Sequence, residues 1–239
     1  MITTQGLCKR FGDRIALDSL DLVVEPGEVM AFLGPNGSGK TTTIRLLMGL
    51  LRPTAGRASI DGLDCHTNSV EVKRRVGYLP DEPFLYPYLS GLEFLELVAG
   101  LHGMNGSVAR KRAGELGAEF VGADCKRLTS TYSHGTKKRL ALAAALIHDP
   151  RVLILDEPTN GLDPRAARDM RSRIAELARA GRTVFLSTHL LDSAEKLCHR
   201  VAILEGGKLR AIGTADELRT RYGASGDASL EELFLTATA

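Results

Sequence analysis

The sequence predicts an α/β fold built around a sheet that is covered on both faces. Three observations carry the expectation. Val29-Met30-Ala31-Phe32-Leu33 is apolar at every position, as a strand buried on both sides must be, and it runs into a loop with three glycines and then a helical pattern. Val152-Leu153-Ile154-Leu155 is a second such run and ends in the paired carboxylates Asp156-Glu157. Between the two halves, from Leu89 to about Leu146, strand-forming sequence is scarce and apolar residues recur at helical spacing.

Bulk composition fits one large domain, or one domain with an inserted lobe. The chain has 239 residues, 44% of them hydrophobic and 25% charged, which is the balance of a globular protein. Lys and Arg total 31 against 29 Asp and Glu, so the formal net charge is +2. A protein that grips nucleic acid through its phosphates carries a clear basic excess, so nucleic acid is not expected as a partner. The basic triplets at 73–75, 110–112 and 137–139 are scattered, and each reads as a solvated helix face. Cys8, Cys65, Cys125 and Cys198 lie far apart without a C-x-x-C pair, a pattern of free thiols in a reducing cytosol. The N-terminus shows no signal-peptide pattern, and the longest apolar run, Leu140 to Ile147, falls well short of the ~20 residues that span a bilayer. Work at a membrane is therefore expected from its surface.

Taken in order, Ile15-Ala16-Leu17 and Leu20 to Val24 read as strand pieces, the second alternating as one face of an antiparallel sheet does. Glu25 to Glu28 is a turn, and Val29 to Leu33 the buried strand. A helix is expected from Thr42 to Leu51, stopped by Pro53. Arg57 to Ile60 with Asp61-Gly62 suggests a hairpin, Val70 to Arg75 a short basic helix, and Val76 to Leu79 a strand. Pro80 and Pro83 break regular structure around Asp81 and Glu82. A helical lobe is expected over about 83–148. A helix from about Arg165 to Ala180, a strand from Thr183 to His189, and a hairpin of Val201 to Leu204 with Lys208 to Ile212 complete a unit over 1–214. The tail, 215–239, carries a helix near Ala215 to Tyr222, a Gly/Ser/Asp-rich break over 223–228, and an amphipathic turn from Leu230 to Leu235.

The chemistry begins in the glycine loop, Gly34-Pro35-Asn36-Gly37-Ser38-Gly39-Lys40-Thr41-Thr42. Between a strand and a helix, G-x-x-x-x-G-K-[ST] is a phosphate cradle. Gly34 and Gly39 leave room for the backbone, the amide N–H groups converge at a helix start, Lys40 supplies a cation for the outer phosphates, and Thr41 a hydroxyl for Mg²⁺. This predicts binding of a nucleoside triphosphate. Transfer of its terminal phosphoryl group to water needs Mg²⁺ and a positioned water. Asp156, at a strand end, is the candidate for Mg²⁺, and Glu157 beside it the candidate general base.

Here the chain resembles a family. The order of phosphate loop, Ser133-His134-Gly135 opening an Ala/Leu-rich helix, Asp156-Glu157-Pro158-Thr159, Gly161-Leu162-Asp163 and Ser187-Thr188-His189 is similar to that of the ATP-binding cassette ATPases. The resemblance covers nearly the whole chain, from Phe11 to the terminal hairpin. It implies a P-loop NTPase (RecA-like) core with an N-terminal antiparallel β subdomain and an inserted α-helical subdomain. It implies ATP and Mg²⁺ as ligands, and a head-to-tail homodimer of cassettes with ATP at the interface. In that dimer Ser133 and Gly135 would meet the γ-phosphate of the partner's nucleotide, and Asp163 would cross the interface. Phe11 would stack on adenine, and His189 would contact the γ-phosphate beside the catalytic Glu157 and Lys40. Two departures stand out. The usual Leu-Ser-Gly-Gly-Gln is Tyr132-Ser133-His134-Gly135-Thr136, and the family's Mg²⁺-contacting glutamine aligns on Asp81, which adds a negative charge near the γ-phosphate.

The look of Gly77 to Glu82 and of Ser229 to Leu235 resembles exporters whose cassette and permease are separate chains. That implies a transmembrane permease partner and a peripheral place on the cytoplasmic face of the cell membrane. Phe84, Leu85, Tyr86, Tyr88 and Leu89 are either a groove for a permease helix or internal packing of the lobe. The alternative is a soluble ATP-driven switch on ribosomes, DNA or metal-cluster assembly, and of these the iron–sulfur assembly type stands nearest. A GTPase lacks support, since no N-K-x-D motif is present.

Overall fold

A computed structural model describes residues 1–223, 225 and 228–238, without the side chains of Asp192 and Ser193. Of the expected break over 223–228, residues 224, 226 and 227 therefore lie outside the described residues.

Two sheets organise the chain. The smaller is antiparallel and formed by β1 (Ile2–Phe11), β2 (Arg14–Val24), β4 (Ala55–Ile60) and β5 (Leu63–Asp64), in the order β2-β1-β4-β5. The larger has six strands. β3 (Val29–Leu33), β6 (Val76–Leu79), β7 (Val152–Asp156), β8 (Thr183–Thr188), β9 (Arg200–Glu205) and β10 (Lys208–Gly213) run in the order β10-β9-β3-β8-β7-β6. All its pairings are parallel except the β9–β10 hairpin.

The all-apolar strands have a simple cause. Along β3, Val29, Ala31 and Leu33 enter one hydrophobic cluster while Met30 and Phe32 enter the other. β7 divides likewise, with Leu153 and Leu155 on one side and Val152 and Ile154 on the other. Each face of the sheet is thus buried, against helices on one side and against the small sheet and α1 (Lys40–Leu47) on the other.

Between β6 and β7 lie α3 (Gly91–Leu101), α4 (Gly106–Phe120) and α5 (His134–Ala145). Ser90 and Glu93 form a reciprocal capping box at the start of α3, and the Asn105 side chain accepts from Val108 N–H at the start of α4. Their apolar faces, including Leu95, Leu116 and Leu140, join the cluster that holds Ala31 and Leu33 of β3 and Leu153 and Leu155 of β7. α2 (Ser69–Arg75) precedes β6, and α6 (Pro164–Arg179) follows β7 with Asp163 as its cap and Pro164 in its first turn. The tail packs on the core: Leu218 of α8 (Ala215–Arg221) and Leu230 and Leu233 of α9 (Leu230–Thr238) are buried in that cluster too.

Several expectations shift. Residues 2–11, too polar to signal a strand, form β1, the central partner of β2 and β4. The helix expected from Thr42 to Leu51 begins two residues earlier, at Lys40, and ends at Leu47, because the glycine loop itself caps it. α7 (Leu191–Leu197) was not signalled at all. The triplet at 137–139 is not a solvated face, since Lys138 points inward and is fully buried.

Candidate functional site

Strand register delivers the site to one edge of the large sheet. Leu33 pairs with Thr188, Asp156 with Ser187, and Leu79 with Leu155. The residues just beyond these strand ends, Gly34, His189, Glu157 and Asp81, therefore emerge side by side, at the place where parallel α/β sheets bind ligands.

The loop after β3 has the shape its sequence requires. Gly39, at the cap of α1, has φ 113°, and a Cβ on it would stand 2.6 Å from the Ala16 carbonyl. A Cβ on Gly34 would meet the Leu204 carbonyl and the Ser38 hydroxyl. The loop is stapled to the terminal hairpin by a hydrogen bond from Gly207 N–H to the Ser38 carbonyl at 2.9 Å. Lys40 Nζ donates to the Gly34 and Pro35 carbonyls at 2.6 and 3.3 Å. Asn36, Gly37, Gly39, Lys40, Thr41 and Thr42 line a cleft of about 350 Å³, and so do Phe11, Asp81 and Glu157. Phe11 is 49% exposed at the end of β1, with Lys9 Nζ 4.9 Å from its ring centre.

Of the paired carboxylates, Glu157 lines this cleft and Asp156 does not. Asp156 is buried, and Ser187 Oγ donates to its Oδ1 at 2.5 Å. Burial pushes the Asp156 carboxyl up, Ser187 and Thr41 pull it down, and the charges of Asp81 and Glu157 add to the rise. Glu157 sits in a left-handed turn, φ 45°, rare for a side chain of its size. Its N–H is held by the Ser187 carbonyl and hydroxyl, both at 3.1 Å. Its Oε1 lies 3.6 Å from Lys40 Nζ, and its Oε2 lies 3.0 Å from His189 Nδ1.

These groups fit a magnesium–nucleotide. Among the described residues Ser38 Oγ is buried without a partner, at the heart of a loop of converging N–H groups. Thr41, Asp156 and Asp81 offer hard oxygen donors. No group of three His, Cys, Asp or Glu close enough to hold a metal by themselves occurs among the described residues. A divalent ion here would share its shell with phosphate oxygens, as Mg²⁺ commonly does.

Three predicted residues stand apart from this cleft. Ser133 caps α5, its Oγ accepting from Thr136 N–H at 3.2 Å, and Gly135 lies in the first turn. Asp163 caps α6, accepting from Arg165 and Ala166 N–H at 3.0 and 2.9 Å. None of the three lines the cleft of its own chain. Gly135 is not demanded by packing, because a Cβ there would find its nearest neighbours at 3.6 Å.

Sequence reading missed Arg14, which also lines the cleft, and Ser187, which orders both carboxylate-bearing residues. Ser187 was in view only as part of a motif. The aromatic segment divides its two readings: Leu85 and Leu89 pack on the core, while Phe84 and Tyr88 are 77% and 87% exposed and Tyr86 is half exposed. Phe84 and Leu85 border a second, largely apolar cavity of about 270 Å³ with His102 and His148 on its wall.

The family described as ABC transporter matches residues 17–160. The chain is 45% identical over 223 residues to the daunorubicin resistance ATP-binding protein DrrA3 of Streptomyces coeruleorubidus, covering 93% of this chain and 71% of that protein. It is 40% identical to the bacitracin transport ATP-binding protein BcrA of Bacillus licheniformis, covering 92% and 72%. Among solved structures, an ATP-binding subunit of an ABC transporter superposes over 100% of both chains with a TM-score of 0.91 and 33% identity. A dimeric ATP-binding cassette in a post-hydrolysis state with ADP and Pi gives 0.81 and 27% identity, covering 90% of this chain and 98% of that one.

Proposed function

The chain belongs to the ABC transporter family as an ATP-binding, ATP-hydrolysing subunit, and from that premise we propose that it powers export through a separate transmembrane permease as a head-to-tail dimer of cassettes. The observation that carries the hydrolytic reading is the Glu157 carboxylate. It is fixed between Lys40 and His189 at the mouth of a phosphate cradle.

ATP enters the cleft with its adenine against Phe11 and its phosphates in the loop from Gly34 to Thr42. The converging amides and Lys40 meet the negative charge, and Ser38 Oγ gains the acceptor it lacks within the protein. Thr41 and Asp156, with Asp81 beside them, would hold Mg²⁺, whose chemistry there would be to neutralise charge on the phosphate oxygens. Glu157 takes the proton of the attacking water, and His189 holds its carboxylate in place and faces the γ-phosphate.

Ser133, Gly135 and Asp163 act across the dimer. Support comes from their position outside their own cleft and from a glycine whose own chain has room for a side chain. The N-terminus of α5 offers N–H groups and positive dipole to a phosphate. Cassette dimers among the structural relatives, one with ADP and Pi, support the same arrangement.

The exposed Phe84, Tyr86 and Tyr88 with the neighbouring apolar cavity receive a helix of the permease. No helix among the described residues is long and apolar enough to cross a membrane. We place the chain on the cytoplasmic face, peripheral, with no nucleic-acid partner. We take the catalytic unit as 1–214 with its helical lobe at about 83–148, and 215–239 as a short tail whose described residues carry α8 and α9.

Fractionation of native cells carrying the tagged chain tests this. Release from membranes by detergent together with a multi-span protein is the expected result. Recovery with ribosomes or an assembly scaffold would leave the ATPase standing and remove the export reading.

A further inference from the structure

Behind the catalytic turn lies a cation without a role so far. Lys138, on the inward face of α5, is 0% exposed. An unpaired ammonium in a protein interior costs several kcal/mol, so it persists there only when its charge and its three donors are met. All three are met. Nζ donates to the Glu157 carbonyl at 2.6 Å, the Asn160 carbonyl at 2.8 Å and Asp81 Oδ1 at 3.4 Å. Asn160 Nδ2 donates to that same Asp81 oxygen at 3.2 Å, closing a ring of contacts.

The two carbonyls are the ends of the turn that begins at Glu157. A non-glycine residue at φ 45° carries strain on the order of 1–3 kcal/mol and holds its place only when its surroundings over-determine it. Here Ser187 fixes the Glu157 N–H from β8, and Lys138 fixes the Glu157 carbonyl from α5. The ring also explains the departure at Asp81. A carboxylate in place of glutamine puts a third negative group beside Asp156 and Glu157, and Lys138 supplies the matching cation.

We propose that Lys138 is a positioning residue for ATP hydrolysis, clamping the Glu157–Asn160 turn and making the Glu157 carboxylate answer to the position of the Asp81 loop. Asp81 leads directly into the segment bearing Phe84, Tyr86 and Tyr88. A partner that shifts this segment loads the Asp81–Lys138 contact, and the strain arrives at the carbonyl of Glu157. The inference rests on the general-base reading of Glu157.

The test uses the purified full chain with four variants: Lys138→Met, Asp81→Ala, the double variant, and Glu157→Gln as reference. Readouts are kcat and KM for MgATP, equilibrium ATP binding and the melting temperature. Loss of the clamp should lower kcat by about tenfold or more, the scale on which small misplacements of catalytic groups act, with KM changed by no more than about threefold. The two substitutions should be non-additive in kcat, because both break one ring. A role in packing alone would lower the melting temperature and leave kcat per bound nucleotide unchanged, and that result overturns the proposal. Additive effects on kcat overturn it as well.

If Lys138→Met does not fold, Asp81→Ala decides by titration with Mg²⁺. A broken clamp keeps kcat low at saturating Mg²⁺, whereas full recovery, or no loss at all, rejects it. Glu157→Gln separates the two readings. Turnover retained there removes the general base itself, while loss there with an active Lys138→Met removes only the clamp.

Discussion

His189 and Glu157 meet across the ends of two adjacent parallel strands, Nδ1 to Oε2 at 3.0 Å. The same oxygen lies 3.3 Å from the backbone N–H of His189, and the other oxygen faces Lys40. A carboxylate held from three sides is preorganised, so little rearrangement is needed when charge shifts during reaction. The strained backbone under it is consistent with a position kept for chemistry.

Glu157→Gln should therefore retain ATP and lose hydrolysis, with kcat down by ~10²–10⁴, the usual contribution of a general base. Nucleotide binding and size-exclusion chromatography with ATP should show a loaded dimer that accumulates. Unchanged turnover would remove the general-base assignment.

Lys40→Ala should weaken ATP binding by roughly 10–100-fold, the loss of a charge-assisted hydrogen bond of about 1.5–3 kcal/mol. Calorimetric titration with a non-hydrolysable ATP analogue measures it. Retention of wild-type affinity would mean that Lys40 serves Glu157 and not the nucleotide.

Gly135→Ala should move stability and activity in opposite directions. Glycine in a helix is less favourable than alanine by up to about 1 kcal/mol, and the chain has room for the added methyl group, so the melting temperature should hold or rise. ATP-driven dimerisation and turnover should fall, because the methyl group intrudes where the partner's phosphate is placed. A variant that loses stability, or keeps full turnover, contradicts the assignment across the interface.

Acid stability should depend on His148. Burial, reinforced by the charge of the stacked His102, pushes His148 down to about 4, and the two rings lie 3.8 Å apart and nearly parallel. Its folded value is below the ordinary 6.5, so its contribution is complete above that value. As pH falls from about 6.5 to about 4 the unfolded chain binds a proton that the folded chain refuses, and that part of the stability is lost. His148→Gln should flatten this limb of a denaturation profile measured against pH. A limb of unchanged slope would place the loss in other groups.

Much of the site was legible because phosphate recognition is local. Gly34 to Thr42 needs only a strand end, a backbone that can bend, and a helix start, and each leaves a mark in consecutive residues. Asp156-Glu157 was legible for a similar reason, as charge at the end of a strand buried on both faces. β1 was not legible, since its polar residues are stabilised by pairing with β2 and β4 and not by an alternating pattern of its own. α7 left no signal either.

The cradle, the paired carboxylates and the apolar strands that carry them are written in consecutive residues. Tertiary structure alone decided which charges meet. Asp81 and Lys138 are 57 positions apart, and neither residue shows that one compensates the other. Lys138 sits in a basic triplet whose local pattern suits a solvated face, and only the packing of α5 behind the catalytic turn turns it inward. Local periodicity fixes which faces are apolar. Partners for a buried charge depend on strand register and helix docking between distant segments, which no short window of sequence records.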